Sequence, residues 1–266
     1  MRIELGKRIG LGAYGSVYLN LLNPDIVIKV VDDNDVAKEE VSVLRRLRNQ
    51  PGVVNYLGHY LYDTKLCMMF HRYDVNLTML MKQYQVDRRD KEFIMYQLCE
   101  ALEHIHARNV IHHDIKMDNI LVYKDNLQVV LCDFGLSRIV VEEKTIVEYE
   151  CYTLWYRPIE LVSHMEEIKY ERKEMDNWAM ACVFAEMVLG KPLFYGSADE
   201  KSLLENIQAF YLSEEEEDKE NNFLHGHYVK IRNCLREYWG NERFKLFMTL
   251  LDVDPCKRDL QAFKLA

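Results

Sequence analysis

The 266 residues contain no C-x-x-C pair, no apolar run long enough for a bilayer, no excess of basic charge and no internal repeat. Seven scattered cysteines, an odd number, do not make a disulfide framework and fit a reducing compartment. The longest apolar helical stretch, around Trp178 to Leu189, is too short to span a membrane and carries Glu186. The N-terminus M-R-I-E-L-G has no signal core and no myristoylation glycine, and F-K-L-A at the C-terminus is no prenylation box. We therefore expect an intracellular protein, cytoplasmic or nuclear, with no membrane partner. A net charge of −9 lacks the basic face that nucleic-acid binding needs, so no nucleic-acid partner is expected. With 49% apolar and 29% charged residues the chain is globular, long enough for a large core or for two lobes sharing one cleft.

The most informative stretch runs from Val110 to Gly135: V-I-H-H-D-I-K-M-D-N-I-L, a spacer, then V-V-L-C-D-F-G. Apolar residues bracket two polar clusters, which lets a sheet-anchored loop hold out Asp114, Lys116, Asn119 and Asp133. Phosphoryl transfer from a metal nucleotide needs this set: a carboxylate for the acceptor hydroxyl, a cation beside the moving phosphoryl, and oxygen ligands for magnesium. A metal cluster of His112, His113, Asp114 and Asp118 is the competing reading. The histidines are adjacent, not at helical ligand spacing, and no second Cys or His pair completes a tetrahedral site.

Upstream, Ile3 to Ile9 and Ser16 to Leu21 read as strands around G-L-G-A-Y-G, whose Gly10, Gly12 and Gly15 let backbone amides approach phosphates. A dinucleotide fingerprint would instead open a helix. Ile26 to Val31 is a strand holding Lys29, and Asp35 to Arg48 has helical period and a basic last turn. Two further strands (Asn55 to Tyr62, Lys65 to Phe70), a short helix (Leu77 to Tyr84) and a long one (Lys91 to Ala107) follow.

Together these motifs resemble the protein kinases, and Y-T-L-W-Y-R-P-I-E (152–160) is similar to the T-L-W-Y-R-A-P-E of the cyclin-dependent kinases in the CMGC group. The resemblance covers essentially the whole chain. It implies an α+β, bilobal protein kinase fold over 1–266: a small β-rich N-lobe with one main helix (about 1–70), a hinge (about 71–76) and a larger helical C-lobe (about 77–266). It implies ATP and Mg2+, with Asn119 and Asp133 on the metal, Asp114, Lys116 and Thr153 in catalysis, and Lys29 on the phosphates paired to Glu40. Ile9, Gly10, Gly12, Gly15, Val17, Val27, Phe70 as gatekeeper, Leu121, and the backbone of His71 and Tyr73 would surround the nucleotide. Lys116 with Thr153 is the serine/threonine pattern. Asp176 would anchor the catalytic loop and Arg258 would pair with Glu160. The chain reads as a bare kinase domain acting on proteins, proline-directed if Arg157 works as in the family.

The departures concern control. His113 replaces the Arg of H-R-D, Glu39 replaces a helix arginine, and Glu148 stands where a phosphothreonine is expected. Glu148 facing Arg138 would order the segment without phosphorylation; alternatively it is an exposed loop acid. D-V-A-K-E-E replaces P-S-T-A-I-R-E, so Lys38 stands at an apolar cyclin contact and puts a cyclin-like or other activating partner in question. Tyr14 matches an inhibitory phosphorylation site or is an aromatic cap on the loop. Tyr152 replaces a small apolar residue. Ser213 heads an acidic run, read as a solvated loop or as a target for acid-directed kinases. A pseudokinase or nucleotide-binding scaffold is the alternative function.

Overall fold

Side chains alternate across a strand, so one strand can bury one face and offer a cation on the other. The strand Ile26–Asp32 does this, with Ile26 and Ile28 buried and Val27 and Lys29 on the half-buried opposite face. The computed structural model describes residues 3–12, 15–140, 151–163, 172–213 and 223–265. Packing divides the chain into one unit of residues 1–112 with 117–140 and another of residues 113–116 with 141–266.

In the first unit, β1 (Leu5–Gly12), β2 (Gly15–Asn20), β3 (Ile26–Asp32), β4 (Tyr56–Tyr62) and β5 (Lys65–His71) form an antiparallel sheet in the order β1-β2-β3-β5-β4. Lys29 is central, opposite Val17 on one side and Met68 on the other. Helix α1 (Asp35–Arg46) starts where the Asn34 side chain accepts the Ala37 N–H and ends on Arg45 and Arg46, which suit its carbonyl end. Its buried face carries Ala37, Glu40, Val41, Val43 and Leu44, so Glu40 turns inward while Glu39 stays at the rim.

The rest of this unit places the two polar clusters. β6 (Val75–Asn76), α2 (Leu77–Gln83), α3 (Arg88–His106), β7 (Val110–Ile111), β8 (Ile120–Tyr123), β9 (Gln128–Leu131) and β10 (Arg138–Ile139) follow, with strand orders β6-β8-β9 and β10-β7. Helix α3 begins three residues before the expected Lys91 because the Asp87 side chain caps the Asp90 N–H. Gln97 on α3 pins the β8–β9 hairpin, donating to the Leu127 carbonyl (2.9 Å) and accepting from the Val129 N–H (3.2 Å). Gly52, at φ +72°, runs so close to α3 that a Cβ would lie 2.4 Å from that of Ala101. Asn119 thus immediately precedes β8, and Asp133 lies just beyond β9.

The second unit is helical among its described residues: α4 (Ile159–Val162), α5 (Lys173–Leu189), α6 (Glu200–Leu212), α7 (Phe223–Trp239), α8 (Asn241–Leu250) and α9 (Leu260–Leu265). Helix α5 is buried on nearly every side, as its apolar composition demands, and stops at Gly190 in the left-handed region. The Arg258 guanidinium, fully buried, grips both oxygens of Glu160 at 2.7 and 2.6 Å and stacks over Trp178. Among the described residues no helix is long and apolar enough to cross a membrane.

Candidate active site

A cavity of about 430 Å³ opens in the first unit, within the range of small-molecule sites. Ile9, Val17, Val27, Phe70 and Leu121 give it apolar walls. Gly10 and Gly12 line it from the end of β1, Gly15 from the start of β2, His71 and Tyr73 from the end of β5 and just beyond it, and Lys29, Glu40, Asn119 and Asp133 form its polar end. Every residue expected to surround the nucleotide or the metal therefore lines one cavity. Gly15 is obligatory here, since a Cβ would sit 2.4 Å from the Val30 carbonyl oxygen.

At the polar end Lys29 Nζ donates to Glu40 Oε1 (2.7 Å) and Asp133 Oδ1 (2.8 Å). Burial works to lower the Lys29 pKa, but the Glu40 and Asp133 carboxylates outweigh it and leave it above that of an ordinary lysine. Burial raises the Glu40 carboxyl, and the Lys29 ammonium opposes that rise without cancelling it. Gly135 faces the cluster, where a Cβ would stand in ordinary contact with Asp133, Glu40 and Lys29. Asp133 is held at φ +60°, a costly conformation for a non-glycine residue that recurs where geometry serves function. Behind it the His112 ring bonds the Cys132 carbonyl at 3.0 Å, so Nε2 carries the proton, and Ser137 Oγ donates to the His112 carbonyl. His112 is therefore a structural brace. Among the described residues no group of three His, Cys, Asp or Glu side chains could hold a metal by itself. A carboxylate and an amide oxygen suit magnesium that arrives with phosphates and keeps part of its own shell.

The second unit holds the other half of the expected chemistry. Asp114, 8% exposed, accepts from Thr153 Oγ1 (2.8 Å) and Thr153 N–H (3.3 Å) on Oδ1, and from Lys116 Nζ (2.7 Å) on Oδ2. Lys116 also donates to Thr153 Oγ1 (2.9 Å), closing a ring of three side chains. Asp176, fully buried in the first turn of α5, accepts the His113 N–H (3.1 Å) and the Tyr152 hydroxyl (3.0 Å) on one oxygen. Burial, reinforced by Asp176, holds the Tyr152 phenol well above its ordinary pKa, so it remains a donor. Arg157 donates to the Tyr152 carbonyl (3.1 Å) and forms an ion pair with Glu200 at the start of α6.

Some residues escaped the sequence reading. Leu44, Val54, Asn76, Asp118 and Cys132 also line the cavity; Cys132 adjoins a motif, but only the packed sheet brings Leu44 and Val54 there. Arg138, expected opposite Glu148, pairs with Glu39 at 3.4 Å. Glu148, Tyr14 and the acidic run after Ser213 lie outside the described residues. Ser213 itself is buried and donates its hydroxyl to the Phe210 carbonyl.

Residues 3–260 match the protein kinase domain family, and the chain belongs to it. It is similar to the cell division control protein 2 homolog 2 of Trypanosoma brucei brucei, 35% identical over 71% of this chain and 57% of that protein. It is also similar to the mouse cyclin-dependent kinase-like 4, 31% identical over 74% of this chain and 60% of that one, and to the CTD kinase subunit alpha of Schizosaccharomyces pombe, 34% identical over 75% and 35%. The aligned part of the chain thus spans less than two thirds of these relatives' length. The expected α+β protein kinase fold and the CMGC resemblance both stand, with a five-stranded antiparallel sheet carrying Lys29.

Proposed function

We propose that the chain is an ATP-dependent serine/threonine protein kinase of the cyclin-dependent type, one kinase domain over residues 1–266 with the lobes and hinge given above. The ring of Asp114, Lys116 and Thr153 carries the reading, because a carboxylate fixed by a threonine and a lysine suits transfer better than mere nucleotide binding. Asp114 orients the acceptor hydroxyl and takes its proton as that oxygen bonds the γ-phosphorus and the bond to ADP breaks. Lys116 offsets charge on the moving phosphoryl. Lys29, held by Glu40, meets the α- and β-phosphates. The His71 N–H is spent on the Asn55 carbonyl (3.1 Å), so the adenine edge meets the His71 carbonyl and the Tyr73 N–H. Asn119 and Asp133 would hold Mg2+, which would supply neutralisation of phosphate charge.

Two finer features belong to the same proposal. With the Tyr152 carbonyl taken by Arg157, an N–H on the residue after the acceptor loses a partner, and proline loses nothing. Glu39 already supplies a carboxylate to the arginine that would face a phosphate, which supports activity without phosphorylation. An exposed Lys38 on α1, where the resemblance puts an apolar cyclin contact, supports independence from a cyclin-like partner. A peptide array phosphorylated by the chain purified alone should show serine and threonine acceptors followed by proline. Activity should not rise after treatment with an upstream activating kinase. Labelled tyrosine peptides, or a blank array that such treatment switches on, would count against the reading.

A further inference from the structure

His113 and Tyr152 each stand directly before a residue of the Asp114–Thr153 pair, and the two share backbone conformation, burial and a common carboxylate, His113 through its N–H and Tyr152 through its hydroxyl. Both are non-glycine residues in the left-handed region, at φ +65° and +66°. Both are buried, 2% exposed each. The Tyr152 N–H donates to the His113 carbonyl (2.8 Å), their rings meet edge to face at 5.5 Å, and both bond the same oxygen of Asp176. One residue further on, Thr153 bonds Asp114 twice. Two such backbone conformations are strained for non-glycine residues and persist only where the surroundings fix them. A buried tyrosine, moreover, needs a partner for its hydroxyl, and Asp176 supplies it.

We propose that Tyr152 is a positioning residue for Asp114, acting with His113 as a size-matched pair over Asp176 that holds the substrate loop and the catalytic loop in register from within the protein. The pair does internally what an added phosphate would otherwise do by gripping a longer cation at position 113. The smaller imidazole leaves the space that the tyrosine ring fills, and the tyrosine hydroxyl reaches the carboxylate that already anchors the loop. This rests on the reading of Asp114 as the group that orients the acceptor hydroxyl.

The test is a double-substitution cycle on the whole chain, read by melting temperature and by steady-state kinetics. Tyr152→Phe removes one oxygen and should lower kcat about tenfold, with KM for ATP within about twofold, since loop register and not the nucleotide cavity is disturbed. His113→Arg should lower the melting temperature by roughly 5 °C or more by crowding the Tyr152 ring. Tyr152→Val added to His113→Arg should recover at least half of that loss and raise kcat above that of His113→Arg alone. Tyr152→Phe turning over at the wild-type rate, or melting losses that simply add, would overturn the proposal. A wild-type chain with no transferase activity would overturn the kinase reading, and this positioning role with it; the melting cycle would still decide separately whether the two side chains are matched.

Discussion

Asparagine in place of Asp114 is expected to cut phosphate transfer by roughly 10²- to 10⁴-fold while leaving the affinity for ATP within about twofold of wild type. An amide of the same shape can still accept from Thr153, so the loop keeps its form. It cannot take the acceptor proton, and its NH2 group confronts Lys116 where a carboxylate oxygen accepted at 2.7 Å. The loss therefore falls on kcat and spares the cavity, whose lining comes from other residues. Kinetics on Asp114→Asn with a phosphorylatable peptide, alongside calorimetric titration with ATP and magnesium, separate the two. Transfer at an unchanged rate would remove Asp114 from the chemistry.

The second large effect concerns stability. Arg258→Met should lower the melting temperature by roughly 6–20 °C, corresponding to about 3–5 kcal/mol for breaking a buried ion pair and leaving its partner behind. The guanidinium is fully buried and Glu160 is 12% exposed, so the carboxylate left behind would lie largely out of water. Arg258 also donates to the Asp252 carbonyl (2.9 Å) and the Glu174 carbonyl (3.2 Å), so removing it strands main-chain acceptors as well. Asn177 reaches the Arg258 carbonyl at 2.9 Å, which ties the same residue to α5 by its backbone. Glu160→Gln, which keeps the shape and drops the charge, should lose less. A melting point within about 2 °C of wild type for Arg258→Met would show that the pair is peripheral to stability.

What could be read from the letters follows from range. The glycine loop, Lys29, Glu40, Asn119 and Asp133 sit in short motifs whose spacing is fixed by the backbone of one strand, one helix turn or one loop, and all of them line the cavity. The strand alternation that buries Ile28 and turns Lys29 toward the cavity is equally local. The contacts that were not legible join elements far apart in the chain. Glu39 meets Arg138 across 99 positions, whereas the resemblance points Arg138 at Glu148, which lies outside the described residues. Tyr152 looked like a departure from a small apolar residue; its meaning depends on the volume beside His113 and on a buried carboxylate at 176. Leu44 and Val54 are ordinary core letters that tertiary packing happens to bring to the cavity wall. Helix α3 starts at Arg88, three residues before Lys91, because the Asp87 cap precedes the point where the apolar period begins.

The proposed kinase activity requires the cavity's lysine, amide and carboxylate to hold the nucleotide whose phosphoryl group is transferred. The direct measurement is transfer of labelled γ-phosphate from magnesium ATP to a generic basic protein, by the purified chain and by its Asp133→Asn variant. Magnesium-dependent labelling by the wild type that disappears in the variant is the predicted result. No labelling by a wild-type chain that still binds ATP, or equal labelling by both, would contradict it.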